Sequence, residues 1–155
     1  GSGCIGLTLK KELPNISVTL TDISKKALKV AKENAKGMDV TFIYSDILKN
    51  VESKYDVIIS NPPYISYDEE IMDIVKNNEP RIALYAKNNG LYYYEEILKN
   101  AKKVLNDNFL IAFEMGCNQK EAIKKLAHKY LNNIEIICKR DLSNKDRMIF
   151  IMNKK

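Results

Sequence analysis

Residues 55–64 read YDVIISNPPY, a short apolar run followed at once by a polar turn with two prolines. The run Val57-Ile58-Ile59 is typical of a central strand in a parallel sheet, which is buried on both faces. In open α/β sheets the ligand crevice lies beyond the carboxyl ends of the strands. The turn Asn61-Pro62-Pro63-Tyr64, called the tetrapeptide below, is therefore expected to face a ligand site.

The rest of the chain alternates short runs of Val, Ile and Phe with longer segments at helical spacing. This pattern predicts an α/β fold with a mostly parallel sheet and an antiparallel edge formed by the last two strands. Ser24 is expected to cap a helix that ends near Gly37. Strands are expected at 17–21, 40–44, 55–60, 109–115, 134–139 and 147–152, and further helices at 7–13, 90–105 and 119–131.

Length and composition predict one domain over residues 1–155, because 155 residues with 45% hydrophobic content suffice for a single core. No apolar run approaches the roughly 20 residues of a membrane span, and no signal peptide pattern opens the chain. A cytoplasmic setting is expected. The net charge of +5 would suit an acidic partner, but the lysines are scattered, which favours solvated helix faces over a nucleic-acid surface. Three widely spaced cysteines predict buried or semi-buried thiols and no metal site.

The tetrapeptide is chemically suited to a planar amide or amino group. Prolines fix φ and lack an N–H, so the Asn61 side chain and the Pro62 carbonyl are expected to form a fixed pair of acceptors. A planar NH2 group is a poor nucleophile whose hydrogens must be held and whose lone pair must be aimed. Tyr64 offers a flat face for stacking. The alternative interpretation is a proline-stiffened turn with a capping asparagine.

The tetrapeptide resembles the motif of the amino-group methyltransferases, which have a Rossmann-like S-adenosylmethionine domain. The opening residues GSGCIG, 1–6, resemble the second half of the glycine-rich cofactor loop of this superfamily. The resemblance implies that Gly1 and Gly3 let the backbone approach the cofactor ahead of a helix N-terminus. It also implies that Asn61 lies beside the cofactor as well as the substrate.

Two acidic residues follow the first two expected strands. Asp22 stands where a carboxylate commonly accepts hydrogen bonds from ribose hydroxyls, with Ile23 beside it; the alternative is a helix-capping aspartate. Asp46 is similar to the adenine-contacting acid of these methyltransferases, with Ile47 as an apolar wall; the alternative is a plain turn aspartate.

Within the superfamily, the chain most resembles the peptide chain release factor glutamine methyltransferases. The similarity covers nearly the whole chain, but the first strand, the leading part of the cofactor loop and a separate N-terminal helical domain are missing. The chain thus resembles a C-terminal part of the family's catalytic domain. The residues that carry the similarity are Tyr64-Ile65-Ser66, Glu79-Pro80, Ala83-Leu84, Gly90-Leu91, Glu114, Gly116, Gln119, Asp141 and Asp146-Arg147.

The resemblance implies N5-methylation of a protein glutamine, the glutamine of the Gly-Gly-Gln motif of release factors in translation termination. Asn61, Pro62 and Tyr64 are implied in catalysis, and Pro63 and Glu79 join them in substrate binding. Direct in-line transfer from S-adenosylmethionine is expected, driven by positioning, without metal and without direct binding of nucleic acid. The alternatives are an adenine N6 or guanine N2 methyltransferase and an inactive cofactor-binding fragment.

The missing first strand is expected to leave a gap in the sheet. In the family it lies between the strands expected at 17–21 and 55–60. These two strands are therefore expected about 9.6 Å apart, two strand spacings, and without a direct ladder. The chain by itself is then expected to bind S-adenosylmethionine weakly or not at all.

Overall fold

The computed structural model describes residues 1–69 and 80–154. The chain divides into two compact units, Gly1–Glu52 and Ser53–Lys155, which we call the N-terminal and C-terminal units. Among the described residues, no helix is long and apolar enough to cross a bilayer.

The N-terminal unit pairs two parallel strands with two helices. Val18 lies opposite Val40 at one end of the ladder, and Asp22 lies opposite Tyr44 at the other. The Ser24 hydroxyl accepts a hydrogen bond from the Ala27 amide at 3.2 Å, so the predicted cap is confirmed. The elements are α1 (Cys4–Glu12), β1 (Val18–Asp22), α2 (Lys25–Asn34) and β2 (Val40–Tyr44).

The C-terminal unit is built on a four-stranded sheet in the order β3-β6-β8-β7. Strands β3 and β6 are parallel, and β8 runs antiparallel to both β6 and β7, so the predicted antiparallel edge is confirmed. A second, two-stranded sheet joins β4 to β5. The elements are β3 (Tyr55–Ser60), β4 (Ile65–Ser66), α3 (Arg81–Leu84), β5 (Tyr85–Ala86), α4 (Tyr92–Val104), β6 (Leu105–Glu114), α5 (Lys120–Tyr130), β7 (Ile134–Arg140) and β8 (Asp146–Asn153).

Alternate residues of β6 and β8 form the core of the C-terminal unit. Ile111, Ile149 and Ile151 are fully buried, and Phe113 is 2% exposed. The Phe113 ring meets the Tyr94 ring of α4 edge to face, with ring centroids 5.2 Å apart. Full burial of each such side chain stabilises the fold by about 1.5–3 kcal/mol.

The predicted burial of β3 on both faces was wrong. Val57 is 45% exposed and Ile59 is 43% exposed. Both share a sheet face with their register partners on β6, Leu110 and Ala112, whereas the core residues on β6 and the α4 contact lie on the opposite face. The strand is also at the end of the strand order in its unit, so it has one strand neighbour there.

The other differences are small. Strand β6 begins at Leu105 rather than at 109, and the described residues include two short strands, β4 and β5, that were not expected. Cys4 and Cys117 are exposed, so the expectation of buried or semi-buried thiols was wrong for these two, whereas Cys138 is half-buried as expected. The ladders of β1 and β3 each lie within their own unit, and the spacing expected between these strands stays a prediction.

Candidate functional site

In the N-terminal unit, the candidate cofactor residues follow the carboxyl ends of two neighbouring parallel strands. The Ser45 amide donates to the Asp22 carbonyl at 3.1 Å, which extends the β1-β2 pairing by one residue. Ser45 is 1% exposed, and its hydroxyl accepts from the Asn50 amide at 3.1 Å. Asp22 and Asp46 are thus brought to the same edge of this sheet, Asp22 at the end of β1 and Asp46 just after β2.

The Asp22 carboxylate joins the glycine turn to the start of α2. One oxygen, Oδ1, accepts from the Ser24 amide at 2.7 Å, but the side-chain cap of α2 is the Ser24 hydroxyl rather than Asp22, the alternative expected from the sequence. The other oxygen, Oδ2, lies against the backbone nitrogen of Gly1. Gly1 and Asp22 therefore lie together, and Oδ2 is directed toward the glycine turn rather than toward the helix.

Gly3 is the N-cap residue of α1 and has the left-handed conformation, with φ of 80°. A Cβ here would lie 3.0 Å from Leu20 Cδ1 and 3.1 Å from Leu7 Cδ1, so the turn packs closely on β1 and α1. The helix start has no side-chain cap, which leaves its first amides available to a ligand. This donor set and the Asp22 carboxylate fit a ligand with a carboxylate and sugar hydroxyls.

Asp46 forms an ion pair with Lys49, three residues later, and its carbonyl accepts from the Lys49 amide at 3.2 Å. These contacts are those of a turn aspartate, and its role toward adenine stays a prediction. Ile23 is 45% exposed, whereas Ile47 is half-buried and has a positive φ of 56°. Two apolar side chains therefore flank the acidic residues at this edge.

In the C-terminal unit, the tetrapeptide leaves the carboxyl end of β3, as predicted. Asn61 is exposed, Pro62 is buried, and Pro63 and Tyr64 are half-buried. The prolines thus anchor the turn, and Asn61 stands at the surface. Glu79, predicted to bind substrate, lies outside the described residues.

Two elements distant in sequence hold Tyr64 at its backbone. Gln119 Nε2 donates to the Tyr64 carbonyl at 2.9 Å and to the Asn89 carbonyl at 3.3 Å. Its Oε1 accepts from the Gly116 amide at 3.0 Å. Gly90 approaches the same carbonyl, because a Cβ built on it would lie 2.0 Å from the Tyr64 oxygen.

The Tyr64 ring is held at its other end by Arg147. Arg147 Nη1 donates to the Tyr64 hydroxyl oxygen at 3.4 Å and to the Met115 carbonyl at 3.1 Å, and its Nε donates to Asp141 at 3.3 Å. Burial, with the Glu114 carboxylate, raises the pKa of Tyr64 against the opposing effect of Arg147. The phenol is therefore neutral at ordinary pH, and Tyr64 offers a ring and a hydroxyl rather than a phenolate base.

Sequence reasoning included Gly90, Gln119 and Arg147 in the family resemblance but gave them no place in the site. These residues are far from Tyr64 in the sequence, so no local pattern connects them with it. The similarity to the family was the only signal that included them. Within residues 1–69 and 80–154, no three His, Cys, Asp or Glu side chains come together as metal ligands.

A family model described as the methyltransferase small domain matches residues 1–78. The chain is 45% identical to a "bifunctional methyltransferase" of Rickettsia felis, over 96% of this chain and 29% of that protein. It is 39% identical to a "release factor glutamine methyltransferase" of Lactococcus lactis, over 97% of this chain and 57% of that protein. It thus spans less than two thirds of the length of either relative.

Among solved structures, a ribosomal protein L11 methylase from Lactobacillus delbrueckii subsp. bulgaricus superposes with a TM-score of 0.71 at 21% identity. The match covers 100% of this chain and 66% of that one. At this identity the likeness shows the fold, and it confirms the predicted Rossmann-like methyltransferase fold.

Proposed function

Because the chain belongs to the methyltransferase small domain family, we propose that it carries the catalytic part of an S-adenosylmethionine-dependent protein-glutamine N5-methyltransferase. The observation that carries the proposal is the tetrapeptide: it stands at the carboxyl end of β3 with Asn61 exposed, Pro62 buried and Tyr64 held at both ends. The substrate proposed is the Gly-Gly-Gln glutamine of a peptide chain release factor, and the relative from Lactococcus lactis supports it.

The N-terminal unit supplies the residues that would hold the cofactor. Gly1 and Gly3, at the uncapped start of α1, suit the methionine part, and the Asp22 carboxylate suits the ribose hydroxyls. Asp46, Ile23 and Ile47 suit the adenine. S-adenosylmethionine supplies a methyl group on a positively charged sulfonium.

The C-terminal unit supplies the residues that position the amide. We assign the Asn61 side-chain oxygen and the Pro62 carbonyl to accept the two N–H groups of the glutamine, which aims the nitrogen lone pair. Pro63 fixes the turn, and the neutral Tyr64 ring offers a face to the planar amide. The single histidine, His128, is exposed on α5, and we assign the departing proton to water rather than to a side-chain base.

The proposal extends to the domain, the compartment and the partners of the enzyme. Residues 1–155 act as one catalytic domain, the enzyme works in the cytoplasm where release factors act, and nucleic acid is not a direct partner. The last of these separates the proposal from an adenine or guanine methyltransferase, which would use the same chemistry on another planar nitrogen.

The test is transfer of a labelled methyl group by the natural protein. A release factor, the same release factor with its Gly-Gly-Gln glutamine changed to alanine, and duplex and single-stranded DNA are offered in parallel. Label is expected in the unchanged release factor alone. Equal labelling of the two release factors would overturn the assigned target, and labelling of DNA would overturn the substrate class.

A further inference from the structure

We propose that Gln119 is a positioning residue: it fixes the Tyr64 carbonyl, and through it the ring of Tyr64, in the geometry needed for transfer. The inference rests on the proposed function, because it takes the tetrapeptide as the part of the site that receives the substrate amide. Gln119 itself touches no reacting atom in this assignment.

The hydrogen bonds of the Gln119 side-chain amide fix its orientation. Its oxygen faces an N–H donor, Gly116, and its nitrogen faces two carbonyl acceptors, Tyr64 and Asn89. One orientation of the amide satisfies all three contacts, and the flipped orientation satisfies none. A carboxylate in its place would have an oxygen, which only accepts, facing the carbonyl oxygens of Tyr64 and Asn89.

The position of Gln119 at the start of α5 also supports a positioning role. It is the N-cap residue of α5, yet its side chain makes no hydrogen bond to the amides of that helix. An N-cap side chain usually satisfies one of those amides. Here it bridges the turn after β6, the turn before α4 and the tetrapeptide instead.

Two glycines make room for this side chain. A Cβ on Gly90 would lie 2.5 Å from Gln119 Nε2 and 2.0 Å from the Tyr64 oxygen, and a Cβ on Gly116 would lie 3.0 Å from Gln119 Oε1. At Gly90 the backbone therefore approaches the Tyr64 carbonyl more closely than a residue with a Cβ allows, and at Gly116 an added Cβ would make a tight contact with the Gln119 side chain. With Arg147 at the hydroxyl, the Tyr64 residue is held at its carbonyl and at its ring.

The first test compares Gln119→Glu with Asn118→Asp in the natural protein. Both change an amide to a carboxylate at the start of α5, but Asn118 is exposed and has a described contact only with Cys117. Gln119→Glu keeps the acceptor for Gly116 and removes the donor to Tyr64. Because small displacements of the reacting groups cost about 100-fold in rate, we expect kcat to fall on that order with the cofactor Kd unchanged. Asn118→Asp should keep the parent kcat.

The second test reads the Tyr64 ring without using activity. Tyrosines are replaced by 3-fluorotyrosine, and the Tyr64 fluorine resonance is identified by its loss in Tyr64→Phe. Gln119→Glu, and the neutral variant Gln119→Met if the acidic variant does not fold, are expected to shift or broaden this resonance. Asn118→Asp is expected to leave it in place.

An unmoved Tyr64 resonance in the Gln119 variant would overturn the inference, as would a kcat equal to that of Asn118→Asp. If the parent protein transfers no methyl group, the proposed function fails by itself, and the fluorine spectra still decide whether Gln119 holds Tyr64. The two failures are therefore distinguishable.

Discussion

Gly90→Ala is expected to destabilise the C-terminal unit more than a positive φ alone would. Gly90 has a φ of 81°, and a left-handed conformation costs an ordinary residue about 1–2 kcal/mol. The added Cβ would also lie 2.0 Å from the Tyr64 oxygen and 2.8 Å from its carbonyl carbon, so backbone must move. Such overpacking adds about 1–3 kcal/mol, for a total of about 2–5 kcal/mol.

Gly37→Ala is the matched control for this change. Gly37 has nearly the same φ, 83°, but a Cβ there would meet nothing within 4 Å. Its expected cost is therefore the conformational part alone, about 1–2 kcal/mol. Native-state hydrogen exchange measures the free energy of opening separately for the unit that holds each glycine. Equal losses for the two variants would refute the reasoning that Gly90 is required for close approach to Tyr64.

The remaining predictions concern single side chains. Asn61→Ala should abolish methyl transfer and leave the cofactor Kd nearly unchanged, and comparable methylation by the variant would refute its role in holding the amide. Asp22→Ala should raise the cofactor Kd by about 10- to 160-fold, from loss of charge-assisted bonds worth about 1.5–3 kcal/mol; an unchanged Kd in calorimetric titration would mean that Asp22 serves only the start of α2. The hydrogen bond from the Lys145 amide holds the pKa of Asp141 below its ordinary value. Partial burial opposes this effect, and the hydrogen bond from Arg147 adds to it. Because the folded pKa is the lower one, this stabilisation is complete above the ordinary pKa and is lost as the pH falls through the folded pKa. Asp141→Asn should therefore melt below the parent at neutral pH, and the gap should close on acidification; a gap that is constant with pH would contradict this.

Much of the fold follows from local patterns in the sequence. The bounds of β2 and β3 were predicted to the residue, since each is a compact apolar run between polar turns. The start of β6 was missed because residues 106–108 read NDN, which are poor strand formers that tertiary pairing overrides. The exposure of Val57 was missed because an apolar run shows that a strand can be buried, and not which of its faces another element covers.

In the candidate site, too, local features were predicted from the sequence and contacts between distant residues were not. The tetrapeptide and Asp22 were predicted because each stands next to a strand end, which is a local relation. The hydrogen bond from Gln119 to the Tyr64 carbonyl joins residues 55 positions apart. Glycine is required at position 90 because the backbone there lies close to the Tyr64 carbonyl, which no sequence spacing indicates. Contacts of this kind become visible only when the turns after β3 and β6 are seen side by side.

The central claim is tested most directly by locating the transferred methyl group. The natural protein is incubated with S-adenosylmethionine, a release factor and DNA together, and both polymers are digested and analysed by fragment mass spectrometry. We predict one methyl group on the side-chain nitrogen of the Gly-Gly-Gln glutamine, and none there with Asn61→Ala. A methyl group on an exocyclic amino group of a base, or on a different protein side chain, would contradict the account.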